Sequence, residues 1–228
     1  MSQAPRRQAA ASDIHIRSGG VTLEGELVLP EPTQGVVLFA HGSGSSRHSP
    51  RNQFVAQTFR EAGIGTLLFD LLTREEEAED RYTRHLRFDI GLLAERLVDA
   101  TYWVKAEFAH LHVGYFGAST GAAAALVAAA ELGEIVCAIV SRGGRPDLAR
   151  GALPRVKAST LLIVGELDHP VIALNEQAYV QLRCEKDIEI VPGASHLFEE
   201  PGALEQAADL AAMWFRRQLG NRCRVAED

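Results

Sequence analysis

The chain has 228 residues, 46% of them hydrophobic and 23% charged, with a formal net charge of −7. That is ordinary globular usage, in a chain long enough to bury one sizeable core. The acidic balance disfavours nucleic acid and anionic membranes as partners, and no apolar run approaches the ~18 residues of a membrane span.

Residues 1–12 read as a disordered leader, 13–220 as a single domain and 221–228 as a flexible tail. Arg6 and Arg7 are not followed by the apolar stretch that a secretory signal needs, so the cytoplasm is the expected location. Asp13–Arg17 and Val21–Leu29 alternate apolar and polar residues around Ser18-Gly19-Gly20, the pattern of an antiparallel hairpin with one wet face. The pattern then changes. Val36–Ala40, Gly65–Phe69, Val113–Phe116, Ile135–Val140 and Leu161–Val164 are short, nearly continuous apolar runs, as in strands buried on both faces of a parallel sheet, and Ile188–Val191 supplies a last strand.

Segments of helical length and period lie between them. Pro50–Ala62 starts at Pro50 behind Ser49 as a cap and stops at Gly63. Phe88–Phe108, the alanine-rich Ala122–Leu132, Val171–Leu182 and Ala203–Leu219 complete the set. The alternation predicts an α/β fold with a doubly wound, mostly parallel sheet and an N-terminal antiparallel hairpin. The acidic run Glu75–Asp80, with Arg74, Arg81, Arg84 and Arg87 around it, reads as solvated and mobile. Cys137, Cys184 and Cys223 are widely spaced with no CxxC pair, so neither zinc nor a disulfide is expected, and Cys137 reads as an inert core thiol.

Ligands of open α/β sheets sit beyond the carboxyl ends of the strands, so the chemistry is sought there. Val113–Phe116 runs into Gly117-Ala118-Ser119-Thr120-Gly121 and then a helix. A serine lifted above a sheet needs a very sharp turn, and glycines two residues either side let strand and helix pack closely. The helix start also offers the N–H of Thr120 to a developing oxyanion. After Val36–Ala40 comes His41-Gly42-Ser43-Gly44-Ser45-Ser46, whose Ser43 N–H is the natural second donor. A phosphate loop fails there, because no Lys-Ser/Thr follows and the third glycine position is Arg47. His41 reads as a structural histidine bonded to the loop backbone.

Asp168 and Glu166 follow Leu161–Val164, and either carboxylate could orient an imidazole. His196 follows Ile188–Val191 and is the candidate general base for Ser119. The order Ser119, Asp168, His196 is that of α/β-hydrolases, each residue closing a predicted strand.

The run from His41 to Leu197 resembles the α/β-hydrolase superfamily, in its compact dienelactone hydrolase-like branch, over about residues 20–219. The resemblance implies Ser119 as nucleophile, Asp168 as acid, His196 as base, and an oxyanion hole from Ser43 and Thr120. Typical members of that branch carry cysteine as nucleophile and a glutamate near the oxyanion loop. Here Ser119 and Gly42-Ser43-Gly44-Ser45 stand in those places.

Only Ser141–Ser159 lie between two of the predicted strands, so there is no room for a cap domain and the site should be open. Arg142 and Arg145, at a strand end, are candidates for a substrate carboxylate, with a surface ion pair to Asp147 as the competing role. Leu71, Leu72, Leu197 and Phe198 are candidate apolar walls. The expectation is a cofactor-independent serine hydrolase of small carboxylic esters, lactones or thioesters, with no metal. A same-fold acyltransferase or C–C hydrolase, or a non-catalytic binding protein, are the rivals. The expected partner is a small acyl substrate, and oligomeric state stays open, a homodimer included.

Overall fold

The computed structural model describes residues 10–221. Eight strands form one sheet in the order β1-β2-β4-β3-β5-β6-β7-β8. The hairpin β1 (Ser12–Ser18) and β2 (Val21–Val28) pairs antiparallel, with Ser18 opposite Val21, and β2 pairs antiparallel with β4 (Gly65–Phe69). From there the ladder is parallel through β3 (Gly35–Ala40), β5 (His112–Ala118), β6 (Val136–Arg142), β7 (Ser159–Gly165) and β8 (Lys186–Val191). The continuous apolar runs are the inner strands; every residue of β3 and β4 is buried.

Helices cover both faces. On one, α1 (Pro50–Glu61) packs with α6 (Ala203–Asn221) over an aromatic layer. There Phe59 stands 5.5 Å from Phe116 and 5.4 Å from Phe215, edge to face in both cases. On the other face lie α3 (Ile90–Glu107), α4 (Thr120–Leu132) and α5 (His169–Gln181). Ala122 to Ala125 in α4 are wholly buried, and their small side chains let that helix lie close to the strands. Between β6 and β7 the chain forms only a kinked 3₁₀ stretch, Pro146–Arg155, so among the described residues no cap domain is inserted there.

Three expectations are corrected. The acidic run is not a mobile loop but most of helix α2 (Arg74–Thr83). Thr73 and Glu76 close a capping box at its start, Arg96 forks onto Glu76 at 2.6 and 2.7 Å, and Asp80 is fully buried. Ser49 occupies the N-cap position of α1 but makes no side-chain cap bond. Cys137 is half-buried near the start of β6 and disulfide-bonded rather than an inert core thiol; Cys184 is a free thiol. The expected leader and tail lie almost entirely outside the described residues; Ser12 is the first residue of β1 and Asn221 the last of α6. No helix among the described residues is long and apolar enough to cross a membrane.

Candidate active site

Strand β5 ends in the turn that carries Ser119, whose backbone is left-handed at φ 50 and ψ −121. A non-glycine residue held in so sparse a region costs about 1–3 kcal/mol and persists only where its surroundings leave no alternative. Here they are backbone groups. The Ser119 carbonyl accepts from the N–H of Ala122 at 3.2 Å and of Arg145 at 3.0 Å, and the Ser119 N–H donates to the Arg142 carbonyl at 3.4 Å. A Cβ on Gly117 would lie 2.5 Å from Ala122 Cα, and one on Gly121 2.0 Å from the Ala40 carbonyl oxygen. Both glycines are therefore needed for close approach: the end of β3, the end of β5 and the start of α4 touch through backbone alone.

The turns after β7 and β8 are tied together next to this. Glu166 and Leu167 donate their N–H groups to the carbonyls of Val191 and Ala194, at 3.0 and 2.9 Å. Asp168 Oδ2 then meets His196 Nδ1 at 2.6 Å, with the aspartate side chain 12% and the histidine 39% exposed. Glu166 faces elsewhere, accepting the Gly193 N–H at 2.8 Å. Of the two candidate carboxylates, Asp168 is the one on the imidazole. The histidine turn is held further by Glu200, which accepts the Ser195 N–H at 3.0 Å; hydrogen bonding from the Ser195 side chain, followed by that N–H, keeps the Glu200 carboxyl below its ordinary range.

The loop after β3 lies against the serine, since a Cβ on Gly42 would be 3.1 Å from Ser119 Cβ. His41 has the structural role expected of it. Its Nδ1 bonds to the Gly42 carbonyl at 3.1 Å and its Nε2 accepts the Leu71 N–H at 3.1 Å, which fixes the neutral tautomer; burial holds its pKa down. The Ser43 N–H is not free, as the sequence leads one to expect. It donates to Thr120 Oγ1 at 3.1 Å. A hydroxyl residue directly after the serine was the only signal of this contact in the sequence.

The two arginines after β6 part company. Arg145 forks onto Asp147 with two bonds of 2.8 Å, the surface ion pair that competes with substrate binding. Arg142 is buried, with its guanidinium 5.8 Å from the Phe116 ring centre and 5.7 Å from that of Phe198. Its Nη1 has no hydrogen-bond partner among the described residues. Burial, followed by the like charge of Arg51, pulls its pKa down to about 10.

Phe198 is not the apolar wall the sequence suggests. It is 1% exposed and packed in the α1/α6 core at φ 56, with its ring against the Arg142 guanidinium. Leu71 is core as well, whereas Leu197 is exposed at the strand edge. Leu72 lines a cleft of about 810 Å³ that borders the His41–Ser46 loop, together with Arg47, Arg51, Asp70 and Arg74. No group of His, Cys, Asp and Glu side chains among the described residues could hold a metal ion.

The model of the dienelactone hydrolase family matches residues 23–219. The chain belongs to that family. A crystal structure of dienelactone hydrolase from Anabaena variabilis shares 61% identity with this family member at a TM-score of 0.91, over 93% of this chain and 99% of that one. An α/β serine hydrolase without a lid from Xanthomonas campestris has the same fold, with 22% identity and a TM-score of 0.73 over 94% and 97% of the two chains. A Mycobacterium tuberculosis protein with the provisional name phosphoribosyl transferase is 55% identical over 205 residues, 89% of this chain but 45% of that protein. The chain thus spans less than half the length of the curated relatives it matches.

Proposed function

We propose that this dienelactone hydrolase family member is a serine hydrolase of small carboxylic esters, lactones or thioesters, acting through an acyl-enzyme on Ser119. The observation that carries the reading is the 2.6 Å contact of Asp168 with His196 Nδ1, at the strand edge where Ser119 stands in its strained turn. A carboxylate on Nδ1 keeps the proton there and leaves Nε2 as the basic nitrogen. In the first step Ser119 Oγ forms a bond to the substrate carbonyl carbon and its proton passes to His196. The tetrahedral intermediate then collapses, the bond to the leaving oxygen or sulfur breaks, and the imidazolium returns the proton to it. Water repeats both steps on the acyl-enzyme and releases the acid. No step calls for a cofactor.

Arg142 favours an anionic substrate. A buried guanidinium without an acid is costly, and the rings of Phe116 and Phe198 compensate it only in part. A substrate carboxylate would complete it. Phosphoribosyl transfer is not favoured, because that name belongs to relatives more than half of whose length has no counterpart here.

A panel of p-nitrophenyl esters of varied acyl length and charge tests the reading. The wild type should turn some of them over, and Ser119→Ala should lose at least about 10⁴-fold in kcat. Turnover retained above roughly one per cent in that variant would rule out the serine mechanism.

A further inference from the structure

The proposed reaction places negative charge on the substrate carbonyl oxygen, and such charge is met by preorganised donors. In the expected arrangement these are two backbone N–H groups, of Ser43 and Thr120. The second is available, since the first N–H groups of a helix have no intrahelical acceptor and Thr120 opens α4. The first is not. At 3.1 Å from Thr120 Oγ1, the Ser43 N–H is spent on a side chain of the very residue that supplies the other donor.

That side chain is well placed for more than filling space. Thr120 is 4% exposed, adjoins Ser119 in the chain, and faces the loop whose Gly42 lies against Ser119 Cβ. A hydroxyl has one proton to give and two lone pairs to receive with. Accepting from Ser43 occupies a lone pair and leaves the proton to be donated elsewhere. A donor that is itself accepting a hydrogen bond is polarised and strengthened by it.

We propose that Thr120 holds the oxyanion twice, through its backbone N–H and its side-chain hydroxyl, while the Ser43 N–H acts one atom behind by polarising and aiming that hydroxyl. Thr120 is then a catalytic residue and Ser43 a positioning one. The inference rests on Ser119 being the nucleophile.

The test joins a crystal structure with kinetics. An arylphosphonate ester bound covalently to Ser119 carries a phosphonyl oxygen where the oxyanion would be. That oxygen should lie within hydrogen-bond reach, about 2.5–3.0 Å, of Thr120 Oγ1 and also bond the Thr120 N–H, with the Ser43 N–H still on Oγ1. Thr120→Val, which keeps the shape and removes the hydroxyl, should lower kcat by about 10²-fold, the usual cost of one lost oxyanion donor. KM should change little, and Thr120→Ser should restore most of the loss. An adduct oxygen bonded directly by the Ser43 N–H, with Oγ1 turned away, overturns the proposal. So does a Thr120→Val enzyme whose kcat is unchanged or raised, which would make the hydroxyl a mere occupant of the Ser43 N–H. A wild type that forms no adduct at Ser119 strikes the underlying reading instead, and the proposal falls with it.

Discussion

The belt around α2 and the strand edge around Ser119 treat buried charge in opposite ways. In the belt, cation and anion meet. Arg96 forks onto Glu76, Arg47 bridges Glu24 and Asp70, and the fully buried Asp80 accepts the N–H groups of Leu86 and Arg87 as well as Arg87 Nε at 2.5 Å. At the strand edge Arg142 is 8% exposed, yet its neighbours are two aromatic rings and another cation. The fold that gives these guanidinium groups their carboxylates leaves Arg142 without one among the described residues. The belt largely satisfies its charges from within, whereas under the proposed function a substrate would bring the carboxylate that Arg142 lacks among the described residues.

The comparison breaks most sharply at Asp168. If it fixes the tautomer of His196, Asp168→Asn should lower kcat by about 10⁴-fold without unfolding the protein. Glu166→Gln, which disturbs only the Gly193 N–H, should be mild. The reverse order of effects would move the acid to Glu166.

Arg142 comes next. A charge-assisted contact to a substrate carboxylate is worth about 1.5–3 kcal/mol, or roughly 10–100-fold in kcat/KM. Arg142→Met should cost an anionic ester that factor and spare a neutral ester of equal size. Arg145→Ala should spare both, because its guanidinium is already committed to Asp147. Equal losses for the two esters in the Arg142 variant would make that arginine a support for Phe198 and nothing more.

The belt should yield a smaller effect, on stability alone. Asp80→Asn should lower the melting temperature by about 5 °C and leave kcat/KM intact. Acid should do the same locally. For Asp80, burial pushes the carboxyl up, but the Arg87 guanidinium and the N–H groups of Leu86 and Arg87 outweigh it; for Glu76 the Arg96 hydrogen bond leads. Both folded-state pKa values therefore lie below the unfolded ones. Their stabilisation is complete above the unfolded carboxyl value, about 4, and drains away as pH falls through the folded values. Hydrogen-exchange protection of α2 should thus vanish on acidification before that of β3 and β5. Simultaneous loss would show that α2 does not depend on these pairs.

Much of this architecture was legible because burial on two faces leaves continuous apolar runs, and each run of that kind became an inner strand. The strand-end residues Ser119, Asp168 and His196 were legible for the same reason, since topology brings such ends to one edge. What stayed hidden depends on side chains meeting across distance. The acidic run lies in a helix whose Glu76 and Asp80 are paired by Arg96 and Arg87, arginines outside the helix. Phe198 looked like a pocket wall, but a left-handed residue turns its ring into the core. The choice between Asp168 and Glu166 needed the direction of two side chains within one turn. Neither the disulfide at Cys137 nor the Ser43–Thr120 contact, which joins residues 77 apart, is written in any local pattern.

The central claim is an activated nucleophile at Ser119, and a fluorophosphonate probe reads it directly. Intact-mass and peptide analysis of the treated protein should find one adduct, located on Ser119, absent in Ser119→Ala and formed far more slowly in His196→Ala. A label on a different serine, or an unlabelled wild type that still hydrolyses esters, would contradict the account.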